Sequence, residues 1–127
     1  MYKASITCLI LLLGLCLAMP AFAVDRDAIQ ANVDKVVTGI NGGKNAKKFQ
    51  ANEYDPYVYI MQKDGMLVVH PELKGKSLKK VAKPVYDAVM KATTGGTWVD
   101  YEWKGAMKHS YVRETDSGLI VGSGYSE

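Results

Sequence analysis

Cysteine is nearly absent from this chain of 127 residues: Cys8 and Cys16 are the only two, and both lie among the first 23 positions. Those positions have the form of a secretory leader. Lys3 gives a positive start, an apolar run follows over residues 6–17, and Ala21-Phe22-Ala23 fits the A-x-A cleavage pattern, so the mature chain is expected to begin at Val24. The run is too short to cross a bilayer comfortably as a helix. Leu15 also stands where lipid attachment at Cys16 would require a small residue. Cleavage then removes every cysteine. That excludes a disulfide, a thiolate metal site and a CxxCH haem attachment from a domain expected in a periplasmic or secreted setting, where disulfides could form.

An excess of one charge is missing as well. The chain has 16 Lys and Arg against 13 Asp and Glu; the leader holds one Lys and no acid, leaving 15 against 13 and a net of +2. A nucleic-acid binder is usually far more basic, with its cations along one face. Also absent are HExxH, GxSxG and a glycine-rich phosphate loop. His70 and His109 are not spaced as metal ligands on one element, and Asp100 and Glu102 alternate as a solvated strand edge would. These absences point to a non-enzyme without metal or cofactor. A 127-residue chain less 23 leaves 104 residues, enough for one domain with an ordinary core and too few for two.

What is present is a change of periodicity. Ile29, Val33, Val36, Val37 and Ile40 recur at spacings of three and four, predicting a helix that Asp25 or Asp27 caps and Gly42-Gly43 ends. Residues 44–49 read as a loop or single turn. Two short strands follow over 57–63 and 66–70, joined at Asp64-Gly65 by an expected type I′ turn. Residues 73–94 return to helical spacing. Ser77 can cap a turn carrying Leu78, Val81 and Ala82; Pro84 should push Lys83 out of the helix and then serve as the first residue of a second turn lined by Val85, Val89 and Ala92. Three more strands are expected over 97–103, 108–115 and 119–125, the last two joined at Asp116-Ser117-Gly118. The order suggests an α+β domain with one antiparallel sheet.

Tyr57-Val58-Tyr59-Ile60-Met61, Lys63-Asp64-Gly65, Val69-His70-Pro71 and Gly75 resemble the single Cache sensor domains, which are PAS-like. So do Gly96-Thr97-Trp98, Tyr101-Glu102-Trp103, residues 108–112 and the ending over 119–124, in the same order over essentially all of residues 24–127. The resemblance implies a five-stranded antiparallel sheet with a long N-terminal helix packed on it. It also implies an extracytoplasmic pocket for small organic molecules, often short carboxylates, serving chemoreceptors and sensor histidine kinases. Gln62 departs from the family, many members of which have an aspartate just before the hairpin turn. Members are also usually flanked by transmembrane helices leading to a signalling module, and this sequence shows neither before Glu127, so the expectation is a stand-alone periplasmic module or one acting through a separate membrane partner, with homodimer formation as a further option. The alternative is a periplasmic interaction or structural protein that keeps the fold without a ligand.

Read without the family, a four-residue connection over 104–107 would set Trp103 opposite Lys108, Tyr101 opposite Ser110 and Val99 opposite Val112. Period two then places these six on one face, and Trp98, Asp100, Glu102, His109, Tyr111 and Arg113 on the other. The first face carries two aromatics, a hydroxyl and one ammonium with no acid, which suits a carboxylate ligand. In the competing reading Lys108 snorkels over Trp103 to solvent. His70, on the parity of Met66 and Val68, could donate to a second carboxylate oxygen, or could instead bond backbone. Tyr57 and Tyr59 share a strand face and could add phenolic donors, or be core residues. The candidate ligand-binding set is therefore Tyr57, Tyr59, His70, Tyr101, Trp103 and Lys108. Lys74, Lys76, Lys79, Lys80 and Lys83 either attract anions by their field or form a solvated face.

Overall fold

The computed structural model describes residues 24–127; the expected leader lies outside them. Helix α1 (Arg26–Asn41) starts where the Asp25 carboxylate accepts the Ala28 N–H at 3.0 Å, and it buries Ile29, Val33, Val36 and Val37 along one side. It stops at Gly42, whose N–H returns to the Thr38 carbonyl at 2.9 Å. A 3₁₀ turn over Ala46–Lys48 and another over Ala51–Glu53 lead to the sheet.

The strands are β1 (Val58–Met61), β2 (Leu67–Val69), β3 (Thr97–Trp103), β4 (Ala106–Glu114) and β5 (Ile120–Ser126). They form one antiparallel sheet in the order β2-β1-β5-β4-β3. Helices α2 (Leu78–Val81) and α3 (Lys83–Val89) separate β2 from β3. The α+β class and five-stranded antiparallel sheet expected from the sequence are therefore present.

All four residues of β1 are buried, because the sheet is covered on both sides. Val58 and Ile60 join Val69, Tyr111 and Val121 against the apolar stripe of α1. Tyr59 and Met61 join Leu67, Val99, Tyr101, Val112 and Ile120 against Leu78, Val85 and Val89 of the short helices. Burying one such aliphatic side chain stabilises by about 1.5–3 kcal/mol, so both layers contribute substantially. Among the described residues no helix is long and apolar enough to cross a membrane.

Four local expectations are corrected. The type I′ turn is not at Asp64-Gly65, where only the glycine has positive φ (101°). There Gly65 N–H donates to the Gln62 carbonyl (2.9 Å), and the Asp64 carboxylate accepts from Met66 N–H (2.9 Å), giving a three-residue loop that ends in a left-handed glycine. The residues with two successive positive φ values are Lys104 (53°) and Gly105 (82°), which join β3 to β4 with two residues rather than four. The pairing consequently slips by two, to Tyr101 with Lys108, Val99 with Ser110 and Trp103 with Ala106. An even slip leaves every side chain on its expected face.

In the third, the helical break falls at Ala82, not Lys83: α3 begins at Lys83 with Pro84 in its first turn, where the missing N–H costs no helical bond. Val81 is correspondingly exposed rather than part of the apolar face. Finally, His70 does not follow the parity of Met66 and Val68. Ile60 pairs with Val69 but Met61 with Leu67, so β2 spends two residues against one of β1, and this bulge turns His70 to the Leu67 side.

Candidate functional site

The layer between the sheet and the short helices is not completely filled. A cavity there is lined by Tyr57, Tyr59, His70, Tyr101, Trp103 and Lys108, together with Leu67, Leu78, Val85 and Val89. The structure thus brings all six candidate residues to one place. It offers about 20 Å³ to the centre of a water molecule, within about 300 Å³ of unfilled space that includes its mouth. Roughly 10–15 Å³ on the first measure suffices for one water.

Each polar side chain arrives by a different route. Tyr57 precedes β1 and Tyr59 lies within it, two residues apart and hence on one face. Tyr101 and Lys108 face each other directly across β3 and β4. Trp103 closes β3 beside the Lys104-Gly105 turn. His70 is held by the chain that follows it: its Nδ1 accepts from Glu72 N–H at 3.0 Å and Leu73 N–H at 2.9 Å. Nδ1 is therefore the acceptor, and the proton of the neutral ring sits on Nε2. Burial, and then the positive field of Lys108, push the His70 pKa down to about 4, so the ring is neutral at pH 7.

Lys108 is the anomaly. It is only 7% exposed, and among the described residues its ammonium forms no ion pair. Its hydrogen-bond partner is the Tyr57 hydroxyl at 3.0 Å, with the nitrogen 4.7 Å from the centre of the same ring. An ammonium has three donors, and a neutral phenol satisfies one. No carboxylate lines the cavity. Glu72, on the turn after His70, is exposed and engaged by Lys104 at 3.0 Å. Buried charge is normally paired, so this arrangement lacks a negative partner.

The Tyr59 hydroxyl is buried without any hydrogen bond. Tyr101 and Ser110 are its polar neighbours, and burial raises its pKa well above that of a free phenol. Tyr101 and Ser110, however, bond each other at 2.8 Å, and neither meets hydrogen-bond geometry with Tyr59. The Tyr59 ring lies flat over Gly122, its pairing partner on β5, where any β-carbon would overlap the phenol. The cavity is therefore a donor-rich, acid-free hollow with apolar walls.

The sequence does not show that the short helices supply the apolar lining of the cavity. Val85 and Val89 show as a helical stripe, but spacing alone does not say which sheet face that stripe covers. None of the five lysines at 74, 76, 79, 80 and 83 lines the cavity; Lys83 pairs with Asp87 at 3.0 Å on the surface. His109 lies on the opposite face, 2.6 Å from both Asp100 and Glu127, whose hydrogen bonds raise its pKa. Among the described residues no group of three His, Cys, Asp or Glu could hold a metal ion.

No family model and no curated protein sequence matches the chain. Among solved structures it is similar to the ligand binding domain of Mlp24 with asparagine, at 16% identity and a TM-score of 0.43, over 74% of this chain and 35% of that one. The chain thus spans about a third of that structure.

Proposed function

We propose that this chain is an extracytoplasmic, non-catalytic sensor domain of the single Cache type, binding a short organic acid in the cavity around Lys108. One observation carries the reading: a buried ammonium, held by a single neutral phenol in a hollow with no acid. A carboxylate would supply the missing charge and accept from Lys108, Tyr57 and His70 Nε2, through charge-assisted bonds about twice as strong as neutral ones. An amine would bring a second cation beside Lys108 with no acid in the lining to neutralise it. The export part of the proposal places the mature start at Val24, in the periplasm or outside the cell. The domain would then signal as a free module or through a separate chemoreceptor or sensor histidine kinase. Intact mass of the exported protein tests the cleavage point, and a form that retains residues 1–23 would refute it.

Ligand class is tested by thermal denaturation with acetate, propionate, pyruvate and lactate against matched amines. At a concentration 100 times Kd, one bound acid stabilises by about 2.7 kcal/mol, on the order of 10 °C for a domain of this size. Stabilisation by amines and not by acids would overturn the charge argument. The small free space, about 20 Å³ for a water centre, favours a second reading, a structural or interaction protein with the same fold and no ligand. A melting temperature insensitive to every acid would support that one.

A further inference from the structure

A second recess lies outside the cavity, where the 3₁₀ turns meet β2 and the loop after it. Two adjoining hollows make it up, of about 970 and 620 Å³ with their mouths included, and they share Lys47, Val68 and Lys74. Only His70 and Leu67 belong to the cavity lining as well. Local turns set the cations in place. The Asn45 side chain accepts the Lys47 N–H at 2.9 Å and so starts the turn that presents Lys47 and Lys48. Lys74 stands in a turn tied to β2 on both sides, by Gly75 N–H to the Leu67 carbonyl (2.8 Å) and Leu67 N–H to the Lys76 carbonyl (2.9 Å).

The recess carries charge of one sign. Lys47, Lys48 and Lys74 are exposed, and among the described residues none of them forms an ion pair. No acid lines either hollow. The neighbouring acids in sequence are engaged elsewhere: Glu53 accepts Gln50 N–H at 3.1 Å, Asp64 accepts Met66 N–H at 2.9 Å, and Glu72 pairs with Lys104 at 3.0 Å. The lining also holds the apolar Val68 and Met66, the latter 37% exposed, and the side-chain amides of Gln50 and Asn52. This combination complements an extended acidic chain. Its carboxylates meet the lysines, its alternate apolar side chains cover Val68 and Met66, and its backbone groups meet the amides. A bilayer presents its headgroups as a plane and leaves such a recess unfilled. We infer that the recess is a docking groove for an acidic, extended segment of a partner protein, independent of what the cavity binds.

The probe is a fluorescein-labelled pool of peptides of about ten residues in which glutamate alternates with valine, leucine or threonine, titrated by anisotropy beside a pool with lysine in place of glutamate. The acidic pool should bind the wild type and the lysine pool should not. A variant carrying Lys47→Gln, Lys48→Gln and Lys74→Gln should bind the acidic pool about 3- to 100-fold more weakly, the product of three exposed ion pairs. A control carrying Lys35→Gln, Lys80→Gln and Lys91→Gln loses the same charge from exposed sites outside the groove and the cavity, and should stay within about twofold of the wild type. Backbone amide shifts on adding the acidic pool to the wild type should concentrate at residues 47–52 and 66–75, a map that decides even where a variant fails to fold. No binding by the wild type overturns the inference, as do equal losses in the two variants or shifts centred elsewhere. Binding to phosphatidylglycerol vesicles and not to the acidic pool, abolished in the first variant, would also overturn it and assign the lysines to a membrane surface.

Discussion

Replacing Lys108 with methionine separates the ligand's need for charge from the fold's need for volume. Methionine keeps most of the stem and drops the ammonium. In the liganded state the loss is a hydrogen bond to a charged group, about 1.5–3 kcal/mol, which corresponds to roughly 10- to 150-fold weaker acid binding. In the unliganded state the sign reverses. Lys108 is 7% exposed and its ammonium meets one neutral oxygen at 3.0 Å, so its burial is incompletely compensated. Removing it relieves that cost and leaves Tyr57, which is only half-buried, able to turn its hydroxyl to water. The unliganded melting temperature of Lys108→Met should therefore match or exceed that of the wild type by a few degrees, each ~1 kcal/mol giving roughly 4–8 °C. Calorimetry for binding and thermal denaturation for stability give both numbers on the same samples. A variant that binds acids as tightly as the wild type would refute the role of Lys108 in the site. A variant that unfolds would make the lysine structural.

Three further outcomes follow from other parts of the fold. Gly122→Ala sets a methyl against the Tyr59 phenol and should destabilise the domain by about 1–3 kcal/mol and weaken acid binding, seen as a lowered melting temperature; unchanged stability would mean the ring moves freely. Lys104→Asn places a residue tolerant of positive φ in the β3–β4 turn and forgoes the exposed pair with Glu72 and the ammonium's 5.7 Å approach to the Trp103 ring, so a gain of roughly 0.5 kcal/mol is expected in chemical denaturation. A loss would show that the pair outweighs the backbone. His70 has its pKa lowered from 6.5 to about 4, so the unfolded chain binds its proton first; stability is full above 6.5 and declines as pH falls toward about 4. His70→Asn keeps an acceptor for the following turn and should flatten that decline in melting temperature against pH. An unaltered slope would assign the decline to other groups.

The candidate site was legible because it depends on parity more than on pairing. The expected partners across β3 and β4 were all displaced by two, since Lys104 adopts positive φ against its ordinary preference and shortens the turn. Tyr101, Trp103 and Lys108 nevertheless share a face, because a slip of two preserves alternation. His70 illustrates the converse. Its parity pointed the wrong way, and the bulge opposite Ile60 and Met61 restored it to the cavity. A bulge leaves no mark in the spacing of apolar residues, and a lysine gives no signal of the positive φ that this two-residue hairpin turn requires at Lys104. The break at Ala82 belongs with these, since Pro84 is equally acceptable as the first or second residue of a helix. The orphaned hydroxyl of Tyr59 could not be read at all, because it depends on which neighbours bond each other.

The two-sided covering of the sheet also divides the protein's tryptophans between its layers. Trp98 packs on the α1 side, its indole N–H donating to Gln30 at 3.1 Å beneath the Arg26 guanidinium, 3.8 Å from the ring centre. Trp103 belongs to the cavity side. Each layer thus has its own intrinsic fluorophore. Emission from a Trp98→Phe variant reports events at the cavity alone, and emission from Trp103→Phe reports the seating of the long helix, so occupancy on one side and displacement on the other can be timed independently in the same stopped-flow experiment without an added label.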